Sequence, residues 1–338
     1  MPEEDYVKAF EDLLNQVNEE AEQPVMKEVG KEAGPLTDVS YDIKNRRTLS
    51  GHLGKIYASA WSRDSTRIVS ASQDGKMIVW DPLSGNKLCV VALKSAWVMS
   101  CSFSPSARLV ASGGLDNTCT VFDVSSGTSV ERALCELAGH EGCITGSAFV
   151  SDGEILSCSG DHKTFLWDIE RKAKKAEFLG HVSDVMDISV PETPNMFLTA
   201  SSDKTAKLWD IRTETCSATF TGHTGDINVI GLMSNGTSFA TGSDDSTIRL
   251  GDIRTDGTLA VLQIPDMDAS ASAVSFSRSG RLLFATYEES SFSVWDCLKE
   301  ERVAVVDAHE NRVSSLGVNS DGNAMATTSW DSTVRIWA

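Results

Sequence analysis

The chain contains no apolar run approaching the roughly 18 residues that a membrane-crossing helix needs, so no span is expected. Its N-terminus, Met1-Pro2-Glu3-Glu4-Asp5, is acidic where a secretory signal would be basic and then apolar. No two of its eight cysteines sit at C-x-x-C spacing, and the histidines stand apart from them. A zinc site or a secreted disulfide framework is therefore not expected, and buried free thiols in a reducing compartment are. Cations are also scarce: 30 Lys and Arg against 48 Asp and Glu give a net charge of −18. With no surplus of positive charge to displace counterions, the composition argues against nucleic acid and against direct adhesion to an anionic membrane. It favours solubility and partners with basic patches. No glycine-rich phosphate loop and no H-E-x-x-H motif occurs. The C-terminal Trp337-Ala338 is not a prenylation signal, so any membrane attachment is expected to come from partners. These absences lead us to expect no cofactor, no metal and no catalysis.

What the sequence has is a repeat, the feature to look for first. Trp80-Asp81, Trp167-Asp168, Trp209-Asp210 and Trp295-Asp296 are obvious anchors, and Phe122-Asp123, Gly251-Asp252 and Trp337 fill the gaps between them. The anchors at 80, 122, 167, 209, 251, 295 and 337 are separated by 42, 45, 42, 42, 44 and 42 residues. That is the period of a four-stranded propeller blade, about 40–45 residues. Within each repeat, short β-branched runs such as Ile68-Val69-Ser70-Ala71 and Lys76-Met77-Ile78-Val79-Trp80 flank tight-turn signals such as Gln73-Asp74-Gly75. The fold class expected is all-β: a seven-bladed WD-repeat β-propeller over residues 40–338, preceded by a helical arm and linker over residues 1–39.

Further columns keep the register. An acid stands six residues before each anchor: Asp74, Asp116, Asp161, Asp203, Asp245, Glu289 and Asp331. A small residue stands four before the acid: Ser70, Ser112, Ser157, Thr199, Thr241, Ala285 and Thr327. Five repeats add a histidine upstream: His52, His140, His181, His223 and His309. Imidazole, hydroxyl, carboxylate and indole can close one hydrogen-bond chain inside a blade, so that every buried polar group finds a partner. The histidines and aspartates are thus read as structural, and no Ser/His/Asp set stands outside the repeat. Asn235-Gly236-Thr237 fits a glycosylation triplet, but without a signal peptide it reads as a plain turn.

The ends of the chain complete the picture. Thr333-Val334-Arg335-Ile336-Trp337 is the last strand of the last repeat, and Arg46-Arg47-Thr48-Leu49-Ser50 resembles the outer strand each blade receives from the repeat before it. Joining the two would close the ring and remove an open edge. Upstream, Val7, Phe10, Leu14, Val17 and Ala21 alternate at spacings of three and four, an a/d seam over two heptads. So short a polar helix is marginal alone, and a partner helix is expected.

Residues between the columns resemble something narrower than a WD repeat. The segment from Arg46 through Gly51-His52-Leu53-Gly54-Lys55-Ile56-Tyr57-Ala58 is similar to the first blade of heterotrimeric G-protein β subunits. The same holds for Trp97-Val98-Met99, Gly113-Gly114-Leu115-Asp116-Asn117, Asp226-Ile227-Asn228, Thr241-Gly242-Ser243-Asp244-Asp245 and Ser329-Trp330-Asp331-Ser332. This resemblance implies a γ subunit as obligate partner of the N-terminal helix, a Gα subunit held in its GDP form, and effectors that share one face with Gα. It implies residence in the cytoplasm and at the cytoplasmic face of the plasma membrane. Position suggests the face. The slots three and five residues after the histidine hold Lys55 and Tyr57, Trp97 and Met99, Asp184 and Met186, and Asp226 and Asn228. The residue before the turn acid adds Leu115, Ser202, Asp244 and Trp330. Equivalent positions fall on one end of a propeller. Aromatic and methionine anchors amid acids, with Lys55 as the lone cation, have the composition of a binding hot spot. The resemblance assigns this ring, with Asn117 and Cys143, to Gα and effectors. Cys143 stands where an aromatic is common in the family, Ser202 where a cysteine is, and Gly251 replaces an anchor indole. The competing readings are a generic WD scaffold and a propeller enzyme, and the second lacks any nucleophile or metal site.

Overall fold

The computed structural model describes residues 43–127, 129–191, 195–255, 257–264 and 269–338. The arm carrying Val7, Phe10, Leu14, Val17 and Ala21 lies outside the described residues. Those described form 28 strands in seven antiparallel four-stranded sheets, one per blade. In blade 1 the strands are Ile56–Trp61, Ile68–Ser72, Lys76–Trp80 and Lys87–Ala92, running from the central channel to the rim. Alternation of β-branched and small residues makes these segments strands, and their flat faces are buried against the neighbouring blades. One core cluster joins Val69 and Val79 of blade 1 to Val98, Cys101 and Phe103 of blade 2. Another joins Leu198 and Ala206 of blade 4 to Ile227 and Ile230 of blade 5.

Blade 7 takes three strands from the chain's end and one from its beginning. Asn45–Ser50 pairs with Thr333–Trp337, Leu49 opposite Val334 and Ser50 opposite Thr333. Across the same seam Leu49, Ile56, Ile68, Trp80, Val334 and Ile336 form one core. The Ser314 hydroxyl donates to the Ile56 carbonyl at 2.6 Å and the Trp61 indole to the Gly317 carbonyl at 2.9 Å. The ring is closed by backbone pairing, packing and hydrogen bonds together.

Two local devices set the end of the ring where function is sought. The turn between second and third strands is built on the column acid, whose carboxylate accepts the N–H two residues on, as Asp74 does from Lys76 at 3.0 Å and Asp331 from Thr333 at 2.9 Å. The residue between is left-handed: Gly75, Asn117, His162, Lys204, Ser246 and Ser332 all have positive φ. The second device is a β-bulge at the start of every inner strand, between Ile56 and Ala58 in blade 1, Val98 and Ser100 in blade 2, and equivalently in all seven. The Asn235-Gly236-Thr237 triplet is a turn: Gly236 has φ 70° and Asn235 Oδ1 accepts the Thr237 N–H at 2.9 Å. Six of the eight cysteines are buried and all are free thiols, Cys143 half-buried and Cys216 exposed.

A candidate recognition surface at one end of the channel

Five blades contain the four-residue hydrogen-bond chain in full or nearly so. Nδ1 of His52, His140, His181, His223 and His309 lies 2.8–2.9 Å from Oδ2 of Asp74, Asp161, Asp203, Asp245 and Asp331. Each Nε2 lies 2.7–2.8 Å from the hydroxyl of Ser70, Ser157, Thr199, Thr241 or Thr327. The indoles of Trp80, Trp167, Trp209 and Trp337 donate to those hydroxyls at 2.8 Å. One direction satisfies every donor: indole to hydroxyl, hydroxyl to Nε2, Nδ1–H to carboxylate. That tautomer is neutral, and burial holds all five imidazoles below their ordinary pKa despite the facing carboxylates. Burial works against the carboxylates, but hydrogen bonds from backbone, imidazole and threonine outweigh it and hold them below the usual range. These chains are interior struts, inaccessible to a substrate. Blade 5 lacks the indole: a Cβ on Gly251 would come within 2.4 Å of Phe239, whose ring occupies the space and packs on Phe220.

The bulges aim the residue five after the histidine toward the channel mouth, and two kinds of residue use that slot. In blades 1, 2, 4 and 5 it holds Tyr57, Met99, Met186 and Asn228, which line the mouth of a channel of about 680 Å³ together with Asp244 and Trp330. In blades 3, 6 and 7 it holds Thr145, Ser272 and Ser314, whose hydroxyls donate to the carbonyls of Val185, Val313 and Ile56 on the next blade. Part of the ring staples neighbouring blades, and the rest presents large side chains.

Those side chains form one cluster. Tyr57 lies between two tryptophans, 6.3 Å from Trp97 and 6.2 Å edge-on to Trp330 by ring centroids. Lys55 Nζ sits 3.9 Å over the Trp330 ring, and partial burial raises the pKa of the Tyr57 phenol. Trp97, Met99 and Leu115 are 45%, 40% and 52% exposed, unusually high for large apolar residues side by side. Leu115 N–H donates to the Trp97 carbonyl at 3.0 Å. Gly114 makes that approach possible, since a Cβ there would stand 1.9 Å from the same oxygen. An acidic arc continues the ring. Asn228 donates to Asp244 at 2.5 Å, Asp244 N–H to the Asp226 carbonyl at 2.9 Å, and Ser270 also donates to Asp244. Asp184 faces His162 at 3.7 Å, a Cβ on Gly160 would touch both Asp184 and the Cys143 thiol, and Asn117 donates to the Glu141 carbonyl at 3.1 Å.

One expectation needs correcting: Lys55 is not the lone cation. Arg312 lies 5.2 Å from the Trp330 ring centroid and pairs with Glu288 at 3.0 Å, so two positive charges lie against Trp330. The signal was in the sequence. Arg312 stands three residues after His309, the slot Lys55 occupies after His52. Glu288 stands directly before the turn acid Glu289, the slot of Leu115, Asp244 and Trp330, and Ser270 stands one 44-residue step after Asp226.

Fold and surface together define a class: a WD-repeat propeller with an aromatic, acid-rimmed face at one end of its channel. Comparison with known proteins narrows it. A family model for G protein β WD-40 repeat proteins matches residues 5–338. A guanine nucleotide-binding protein β subunit of Dictyostelium discoideum is 51% identical over 332 residues, 98% of this chain and 94% of that one. The chain belongs to the G protein β WD-40 repeat family, and like the family it is non-catalytic.

Proposed function

We propose that this β subunit pairs obligately with a γ subunit through residues 1–39, with Val7, Phe10, Leu14, Val17 and Ala21 as the seam. In this reading the propeller, residues 40–338, holds Gα·GDP on the ring of Lys55, Tyr57, Trp97, Met99, Leu115, Asn117, Cys143, Asp184, Met186, Asp226, Asn228, Asp244 and Trp330. Release of Gα frees the same ring for effectors, so regulation is competition for one surface and needs no large change within the propeller. GTP hydrolysis belongs to Gα. The protein works in the cytoplasm and at the cytoplasmic face of the plasma membrane, where lipid anchors on its partners hold it. The observation that carries this reading is the Trp97–Tyr57–Trp330 cluster, half-exposed, capped by Lys55 and rimmed by Asp226 and Asp244. Such central aromatic anchors supply most of an interface's affinity, about 2 kcal/mol or more each. The test is a titration of the β–γ dimer with Gα in its GDP and GTP-analogue forms. A tight GDP-selective complex, lost in Trp97→Ala or Trp330→Ala, is expected. Equal affinity for both nucleotide states, or indifference to both tryptophans, would place the chain among generic WD scaffolds.

A further inference from the structure

Blade 2 has the sockets of the hydrogen-bond chain but neither of its ring donors. Lys94, three residues before Trp97, occupies the histidine slot, and Phe122 replaces the indole. The Lys94 side chain turns outward: Nζ lies 2.6 Å from Glu136 and the side chain is 74% exposed. Left behind are the Ser112 and Thr120 hydroxyls, on residues only 6% and 8% exposed, with no hydrogen-bond partner among the described residues. Both line a cavity of about 30 Å³, with Asp116 and Phe122 also in its wall. That is room for about two waters. The exposed Lys94, Trp97, Asp116 and Glu131 line it too, so it reaches the surface.

Blade 6 is the internal control. It also lacks a histidine in register, but there the hydroxyl position is Ala285. Without that hydroxyl blade 6 offers no socket for an imidazole, and its column indole, Trp295 Nε1, is buried without a hydrogen-bond partner among the described residues. Blade 2 kept its hydroxyls, on the wall of a cavity that water can reach. The shape of what belongs there is given by the other blades: a flat ring with one nitrogen 2.8–2.9 Å from the turn acid and another 2.7–2.8 Å from the column hydroxyl. We propose that blade 2 carries an open imidazole site beside Trp97, filled by a histidine side chain of the docked partner. The partner thereby completes between two molecules the chain that other blades complete within one. This rests on the reading of the Trp97 face as the Gα surface.

The test uses the full β–γ dimer. Free imidazole, at fixed pH and ionic strength, should raise its unfolding midpoint saturably. Ser112→Val should remove that response. Lys94→His should start from a higher midpoint, show no response, and bind Gα·GDP at least tenfold more weakly, because its own ring fills the site. An unsaturable or absent imidazole response, with Lys94→His no more stable, would mean that only water occupies the cavity and would overturn the proposal. A stabilised Lys94→His with unchanged Gα·GDP affinity would overturn the assignment to a partner's histidine. If instead Trp97→Ala leaves Gα·GDP binding intact, the functional reading fails, and the imidazole and Ser112→Val responses still judge the cavity by themselves.

Discussion

An imidazole held between a carboxylate and a hydroxyl has its charge decided by burial. His181 illustrates the consequences. Asp203 accepts from its Nδ1 at 2.8 Å, from Val182 N–H at 3.2 Å, and from the Thr205 N–H and hydroxyl at 2.9 and 2.6 Å. Asp203→Ala strands an imidazole and two backbone donors, at a cost of about 1–3 kcal/mol, and should lower the unfolding midpoint. Gα binding by the folded fraction should barely change. Should that variant melt with the wild type, the strut would be no strut. The same chemistry fixes a pH profile. The imidazoles' folded pKa lies below the ordinary value of 6.5. As pH falls through 6.5 the unfolded chain takes up protons that the folded chain resists, so stability drops. The paired aspartates, lowered from 3.8, add a further loss at more acid pH. Asp187 runs the other way. It lines the channel, accepts the Ile230 N–H of the next blade at 2.9 Å, and burial pushes its carboxyl up to about 6. The folded chain therefore binds this proton the more tightly, and the group costs stability as pH rises through 6. Thermal melts should show a midpoint falling from pH 7 to pH 5. In Asp187→Asn the fall should be steeper and the stability at pH 8 greater, by at most about 3 kcal/mol. An unchanged profile in that variant would refute the assignment.

At the scale of strands and turns, the bulge opening each inner strand turns a packing position into one that faces the channel. A bulge adds one residue and re-aims its side chain, which is how Tyr57 and Met99 come to face the channel mouth from strands whose other residues pack. The turn opposite does the same for Leu115 and Trp330. Gly114 links the two devices in blade 2, because its missing Cβ lets the turn close on the Trp97 carbonyl. Gly114→Ala must push that carbonyl back, an overpacking cost of about 1–3 kcal/mol, and carry Trp97 with it. Gα·GDP affinity should fall on the order of tenfold, about 1.4 kcal/mol. Gly153→Ala, where a Cβ would meet nothing within 4 Å, is the matched control and should be silent in a calorimetric titration. If both variants bind alike, Trp97 is not placed by this turn. Strand positions, turn acids and the slots that face the channel mouth were legible because the repeat writes them in columns. The seam contacts were not. Thr145 to Val185 and Asp187 to Ile230 join a side chain to a backbone group about 40 residues away, and one repeat carries no mark of its neighbour's backbone. The exchange of Trp for Gly251 was visible, whereas the refilling of its space by Phe239 depended on packing.

For the whole molecule, the decisive feature is that the chain's two ends meet in one sheet. Six of the blades are each one run of chain, and the seventh exists only if Asn45–Ser50 finds Thr333–Trp337. The sequence foretold this pairing from a single resemblance, Arg46-Arg47-Thr48-Leu49-Ser50 to the outer strands of other repeats. Leu49 is 2% exposed in a core with Ile56, Ile68, Trp80, Val334 and Ile336, residues of both first and last blades. Truncation of such a side chain to alanine costs about 2–5 kcal/mol, and removal of the strand also bares the edge of Thr333–Trp337, a template for pairing with other chains. Two deletions separate closure from partner binding. Loss of residues 1–39 leaves the closing strand in place; the chain should fail to co-purify with γ and give a poor soluble yield, with the soluble fraction still melting cooperatively. Loss of residues 1–50 should in addition broaden the melt and drive self-association, seen by size exclusion at micromolar concentration. A synthetic peptide of residues 43–50 added during refolding should restore the monomer in the second case only. If the 1–50 deletion stays monomeric with an unshifted midpoint, the ring does not depend on its closing strand, and stability must come from blade-to-blade packing alone.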